Sequence, residues 1–245
     1  MTAGPRQPGA VRRRVRNDPA QYDDLASEWW RPHGAFAMLH WIAEARSALV
    51  PPPSRPDAVL VDIGCGGGLL APHIAGKRYT HVGVDVTASA LTLAREQGVI
   101  AVGGNAMSLP LASGAADVVV AGEVLEHVSD LVLCVSEACR VLRPGGTLVL
   151  DTIAATRLAR VVVVTLAEHV PGGAPPGLHD PRLFVDRDRL RNECARHGVR
   201  VKLTGLRPSF LSMLAWALHR RPQARMVPTW STAVLFQGYG IKEGP

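Results

Sequence analysis

Three glycines at alternate positions, Gly64, Gly66 and Gly68, follow the acid Asp62 in an apolar run, Val59-Leu60-Val61-Asp62-Ile63. Glycine is required where a chain turns sharply and where backbone approaches a ligand with no Cβ in the way. A strand, a glycine turn and a helix start are the frame that holds a nucleoside-type cofactor. The dinucleotide fingerprint wants its third glycine one position later, where this chain has Leu69. Asp85 ends the next apolar run, His81-Val82-Gly83-Val84-Asp85, and a carboxylate there can accept from both ribose hydroxyls. Its alternative role is a cap for a helix starting near Thr87. Asn105, after a further run, either reaches the adenine amino group or makes a turn.

A second group follows the segment Asp117–Ala121. Glu123, Glu126 and His127 are spaced i, i+3, i+4, so on a helix they project from one face. Two carboxylates and an imidazole can hold a hard divalent ion with positions left open to oxygen ligands. The same spacing also suits His127 as half of a general-base pair, or as a buried hydrogen-bonded residue with no metal.

These groups need elements to position them. Short apolar segments at Ala58–Ile63, His81–Val86, Ile100–Gly103, Asp117–Ala121 and Thr147–Thr152 read as strands buried on both faces. Leu69–Ala75, Ala88–Gln97 and Leu131–Val141 read as the helices between them. Such alternation predicts an α/β fold, a doubly wound, mostly parallel sheet with helices on both faces. In a 3-2-1-4-5 order the fourth strand lies beside the first, which puts Glu123, Glu126 and His127 across the switch point from the glycine turn. Asp18–Val50 reads as helical with a break at Arg31–Gly34, and Pro51–Pro56 as a rigid connector. Arg143–Gly146 reads as a tight turn into the fifth strand. Beyond it, a helical stretch Ala155–Val170 runs into a Pro/Gly loop at Pro171–Gly177.

Composition narrows the classes. The chain has 245 residues, 47% hydrophobic and 20% charged, enough for one large α/β domain over 18–245. No apolar run approaches the roughly 20 residues of a membrane-spanning helix, and Met1–Arg16 has no signal-like apolar core. A cytoplasmic protein is the default expectation. The net charge of +6 includes five arginines within residues 1–16 and no acid there; the other 229 residues hold 22 basic and 21 acidic side chains. The excess reads as a disordered basic tail over 1–17, with a weak electrostatic tether to anionic lipid or nucleic acid as the alternative; the near-neutral remainder offers no basic groove, so nucleic acid is not expected as a partner. The four cysteines are scattered and suggest neither zinc nor disulfides.

The 64-66-68 glycine spacing is that of class I methyltransferases, and more of the chain fits one family of them. Over roughly residues 20–200 it resembles the ubiquinone-biosynthesis O-methyltransferases, which methylate a catechol hydroxyl of polyprenylated quinone precursors. The resemblance rests on Tyr22–Trp30 with its Trp29-Trp30 pair, Leu39-His40 followed by Arg46, Val61–Gly68, Glu123–Val128, and Gly177-Leu178-His179-Asp180 with Leu183-Phe184. It implies a Rossmann-like class I methyltransferase fold using S-adenosylmethionine, with Arg46, Gly64, Asp85 and Gly122 touching that cofactor and Arg46 on its carboxylate. Asp62, Gly66, Gly68 and Asn105 complete the expected cofactor set. It further implies Mg2+ or another divalent ion on Glu123, Glu126 and His127, with His127 as the general base if no metal binds. A helical insertion after the fifth strand, here 153–184, would cover the site; it is either a lipid-touching lid that makes the protein peripheral to the membrane or a core helix. The expected acceptor is a small aromatic or quinone-type molecule. Ile153–Thr156 and Leu206–Pro245 depart from the family pattern, so an N- or C-methyltransferase of small molecules, or a non-catalytic S-adenosylmethionine-binding protein, are the alternatives. The sequence assigns no oligomeric state.

Overall fold

The carboxyl ends of five parallel strands converge on one side of the sheet, and a computed structural model describing residues 14–169 and 174–244 shows what brings them there. The strands β1 (Val59–Ile63), β2 (Thr80–Asp85), β3 (Ile100–Gly103), β4 (Ala116–Gly122) and β5 (Leu142–Ile153) pair in parallel in the expected 3-2-1-4-5 order. Every residue of β4 is buried, as in a strand covered on both faces. Side-chain alternation divides the core. Val61, Ile63, Val119, Ala121, Leu148 and Leu150 face one layer, formed by helices α5 (Leu131–Val141) and α7 (Arg187–Arg196). Leu60, Val118, Val120 and Val149 face the other, against Leu70, Ile74 and Val50.

Three more strands extend the sheet past β5. They are β6 (Lys202–Pro208), β7 (Met226–Thr229) and β8 (Leu235–Ile241), in the order β5-β8-β6-β7 and all antiparallel to their neighbours. The sheet is therefore mixed but mostly parallel. The turn expected at Arg143–Gly146 is a bulge inside β5. Ala116 pairs with Leu142 and Val118 with Thr147, so the intervening residues loop out of the ladder, with Gly145 at φ +73°.

The short helices α1 (Ala20–Asp24) and α3 (Ala71–Ile74), with α2 (Ala37–Ser47) and α4 (Ala88–Glu96), complete the first half of the chain. Helices α5 and α7 start on aspartate caps. Asp130 accepts from the backbone N–H of Val132 and Leu133, and Asp186 from those of Asp188 and Arg189. The insertion after β5 is one irregular helical segment: α6 (Arg157–Ala159), a π-helical stretch Arg160–Leu166, and a 3-10 turn Ala167–His169. It is followed in the last third by α8 (Phe210–Ala217). Most of the expected basic tail, Met1–Arg13, lies outside the described residues, as do Val170 at the end of the expected helical stretch and Pro171–Gly173 of the expected loop.

Candidate active site

The glycine turn is held from below by an aromatic ring. Gly66 adopts φ +49°, and a Cβ there would lie 2.3 Å from the ring of Trp29, which also lies flush against Gly67. Trp29 is buried and stacks on Phe36 at 4.4 Å between ring centroids. From the side, the Asp85 carboxylate accepts the backbone N–H of Gly66 (2.9 Å) and of Thr87 (2.8 Å). Burial raises the Asp85 pKa, opposed by these two backbone donors. Two carboxylate oxygens offer about four acceptor positions, so Asp85 orders the turn and still has lone pairs open, while the helix after it is capped at Thr87 and not by Asp85.

Arg46 reaches this region from the last turn of α2. It lies against Gly122, where a Cβ would stand 1.9 Å from the guanidinium carbon. Its Nε and Nη2 form a two-pronged pair with Asp151, the Nη2 bond being 2.8 Å. The sheet register explains the arrangement: Gly122 of β4 pairs with Asp151 of β5, placing the bare backbone and the acid side by side beneath one planar group. Burial alone would lower the Arg46 pKa; Asp151 outweighs it, and the net shift is upward.

A cavity of about 790 Å³ gathers Arg46, Asp62, Gly64, Gly66, Asp85, Asn105, Gly122, Glu123 and His127 into its walls. That volume is at the upper end for a single small ligand and leaves room for a cofactor and an acceptor together. Gly68 is not among the walls: at φ +80° it faces Ala94 of α4, 3.0 Å from where its Cβ would be. Its role in the glycine pattern is helix packing. Asn105 turns its side-chain oxygen to the backbone N–H of Met107 (2.9 Å), closing a turn. The lining also has a large apolar part, built from Ile153 at the end of β5, Val162, Val163 and Leu166 after it, and Leu206, Met213, Val234 and Leu235 near the C-terminus.

The expectation for Glu123, Glu126 and His127 requires correction. The segment is a turn and not a helix. Glu123 sits at φ +50° and the His127 N–H bonds to the Val124 carbonyl at 3.0 Å, so the helical face expected for the three side chains does not form. Glu126 is fully buried, accepts from the Thr152 hydroxyl (2.8 Å) and is not a cavity wall. His127 faces elsewhere: its Nδ1 meets Asn17 Oδ1 at 2.6 Å and its Nε2 the Tyr22 hydroxyl at 3.3 Å. Among the described residues no group of three or more His, Cys, Asp or Glu is placed to hold a metal ion. One oxygen each of Glu123 and Glu126 is buried without a partner. Burial pushes the Glu126 carboxyl up to about 7, and burial beside Glu126 and Asp151 pushes Glu123 well up. The donor set in this arrangement does not fit the expected three-ligand metal. Burial, with a smaller effect of His179, pushes the His127 pKa down to about 3, so its ring is neutral.

Several contributing residues escaped the sequence analysis. Asp151 carried one signal, an acid directly following the apolar run Leu148-Val149-Leu150. Tyr22 and Trp29 stood in the Trp-Trp element without an assigned role. The segment assigned to a tail does not end at Asn17 as a free chain: Arg14 pairs with Asp24 at 2.6 Å, Arg16 with the buried Glu168 at 3.1 Å, and Asn17 with His127.

The comparisons with known proteins agree with this geometry. Residues 61–150, which span β1 to most of β5, match the family model of a methyltransferase domain. A ubiquinone biosynthesis O-methyltransferase of Caulobacter sp. (strain K31) is 34% identical over 198 residues, covering 71% of this chain and 77% of the relative. The enzyme of that name from Parvibaculum lavamentivorans is 33% identical over 221 residues, covering 82% and 87%. Among solved structures, an S-adenosylmethionine-dependent methyltransferase from Thermotoga maritima superposes with a TM-score of 0.62 at 19% identity, covering 91% of this chain and 97% of the other, a likeness of fold. With a glycine turn, an acid closing β2 and a buried arginine set around one cavity, and with relatives that span most of its length, the chain belongs to the ubiquinone-biosynthesis O-methyltransferase family of S-adenosylmethionine-dependent methyltransferases.

Proposed function

We propose that this enzyme methylates a hydroxyl of an aromatic, quinone-type acceptor carrying an apolar substituent. The observation that carries the proposal is the make-up of the cavity. The same lining holds the glycine turn, Asp85, Gly122 and Arg46, a large aliphatic set after β5 and near the C-terminus, and His127. S-adenosylmethionine, when bound, supplies a methyl group already activated on a sulfonium. Its adenosine fits the wall of Gly64, Gly66, Asp85 and Asn105, and its carboxylate fits Arg46, which Asp151 holds charged and oriented.

The protein's own task is to orient the acceptor oxygen and take its proton. His127, neutral because it is buried, offers an unprotonated ring nitrogen. As the oxygen bonds to the methyl carbon and the carbon–sulfur bond breaks toward sulfur, the O–H proton becomes strongly acidic and passes to His127. The products are a methyl ether and S-adenosylhomocysteine. Asn105 supports the adenine through a backbone-anchored amide, a role less demanding than that of Asp85. No step is assigned to a divalent ion, because both ring nitrogens of His127 are engaged by Asn17 and Tyr22 and, among the described residues, no group of three ligands is placed to hold one.

The peripheral membrane contact expected of the insertion extends to the C-terminal part. Leu158, Val161 and Leu166 after β5 and Phe210, Leu211 and Leu214 of α8 are exposed, and Met213 of α8 lines the cavity. Residues 194–242 hold eight Lys and Arg and no acid, so the near-zero charge outside the tail conceals a basic segment. Apolar groups beside exposed Arg220 and Arg221 suit an anionic lipid surface. Among the described residues no helix is long and apolar enough to cross a membrane.

The test is transfer of labelled methyl to a panel of prenylated catechols, simple phenols and aryl amines. Catechol methylation that falls about 10²–10⁴-fold in His127→Ala is expected. Transfer to amines alone would refute oxygen as the acceptor atom. Activity lost to a chelator and restored by Mg2+ would replace the base with a metal.

A further inference from the structure

Asn17 grips His127 with both ends of its amide. Its Nδ2 donates to the His127 backbone carbonyl at 2.9 Å, and its Oδ1 stands 2.6 Å from His127 Nδ1. The first contact fixes the second. A flipped amide would set oxygen against the carbonyl oxygen, so the atom facing Nδ1 is an acceptor only. Nδ1 must therefore carry the ring proton, and Nε2 of the neutral imidazole is left bare. The Tyr22 hydroxyl, 3.3 Å away, donates to that bare nitrogen; burial pushes the Tyr22 pKa up and keeps its proton in place.

Asn17 is itself held in place. It occupies the left-handed region at φ +61°, which asparagine tolerates better than most residues. Its backbone N–H donates to the Gly177 carbonyl at 3.1 Å. Next to it, Arg16 pairs with Glu168 and donates to the His179 carbonyl at 2.7 Å. Residues separated by more than 100 positions thus meet: the N-terminal segment, the insertion and the turn after β4. Asn17, Tyr22, His127 and His179 all line the cavity.

We propose that Asn17 is a positioning residue that fixes the Nδ1–H tautomer of His127, so that the bare Nε2 draws the acceptor's proton through the Tyr22 hydroxyl, which gives its own proton to Nε2 as its oxygen takes that of the acceptor. This rests on His127 being the proton acceptor, and the two are tested separately. In protein labelled with ¹⁵N-histidine, long-range ¹H–¹⁵N spectra report which ring nitrogen is protonated, with His127→Ala identifying the signals. The wild type should show a bare Nε2; a protonated Nε2 would overturn the proposal without any variant having to fold. Asn17→Leu, similar in shape but without the acceptor, should shift the ring toward the other tautomer. It should lower kcat roughly 10–100-fold while leaving the KM for S-adenosylmethionine unchanged. Asn17→Asp, which keeps an acceptor, should retain the tautomer. On the His127→Ala background Asn17→Leu should cost nothing further; an undiminished loss there would make its role merely structural and overturn the proposal. Wild-type kcat in His127→Ala would refute His127 as base, while the tautomer spectra would still decide what Asn17 does to the ring.

Discussion

Replacing Gly122 by alanine tests the cofactor wall most directly. The added methyl would stand 1.9 Å from Cζ, 2.1 Å from Nε and 2.3 Å from Nη2 of Arg46, separations that no non-bonded atoms can keep. Arg46 cannot swing into solvent to make room, since it is only 6% exposed and both its bonded nitrogens are committed to Asp151, which is fully buried. The substitution must therefore break the pair. Leaving a buried charge without its partner costs about 3–5 kcal/mol. For a domain of this size that corresponds to a fall in melting temperature of roughly 6–20 °C. Displacing the guanidinium should also remove the charge-assisted bond proposed to the cofactor carboxylate, about 1.5–3 kcal/mol, or roughly 10–150-fold in Kd. Scanning calorimetry gives the first quantity and titration calorimetry with S-adenosylhomocysteine the second. Asp151→Asn, which leaves Gly122 alone but removes the countercharge, should reproduce much of the stability loss. A Gly122→Ala protein with wild-type melting temperature and wild-type affinity would refute the placement of Arg46 over Gly122.

Two further substitutions probe the layers beneath. Glu126→Gln should stabilise the protein at neutral pH: with its pKa at about 7 in the folded protein and about 4.5 when unfolded, Glu126 contributes stability at low pH that is lost as pH rises from about 4.5 to 7. The advantage of the variant should thus grow across that window, toward about 3 kcal/mol, in melting curves taken from pH 4.5 to 8; a difference independent of pH would show that Glu126 is ionised throughout. Trp29→Ala removes the ring under Gly66 and Gly67 and should cost about 3–5 kcal/mol in denaturant titrations, along with cofactor affinity. Unchanged affinity in the folded variant would mean that the glycine turn keeps its shape unaided.

The parts of the site legible in the sequence were those made by neighbouring residues. A glycine turn, its preceding acid and the acid closing the next strand lie within one strand–turn–helix–strand unit, whose local geometry their spacing dictates. The parallel order of β1–β5 was legible for the same reason, because alternating apolar strands and short helices admit few topologies. Gly68 and Glu126 mark where spacing misled. A pattern of glycines does not say which of them faces a ligand and which packs on Ala94. A spacing of i, i+3, i+4 means one face only if the segment is a helix, and Glu123 at φ +50° breaks that condition at its first residue.

By itself, then, the sequence determined the fold class, the cofactor-binding unit and the family, since all three are carried by short-range pattern and by residue identity along the chain. Tertiary structure alone decided the partners. Asp151 meets Arg46 only because β4 and β5 pair in a register that sets it beside Gly122. Asn17 meets His127 only because the N-terminal segment crosses the sheet's carboxyl edge and is tied there by Arg16, Glu168 and Gly177. Contacts across more than 100 residues leave no periodicity to read, because their cost and their geometry are set by the packing of the whole chain and not by any segment of it.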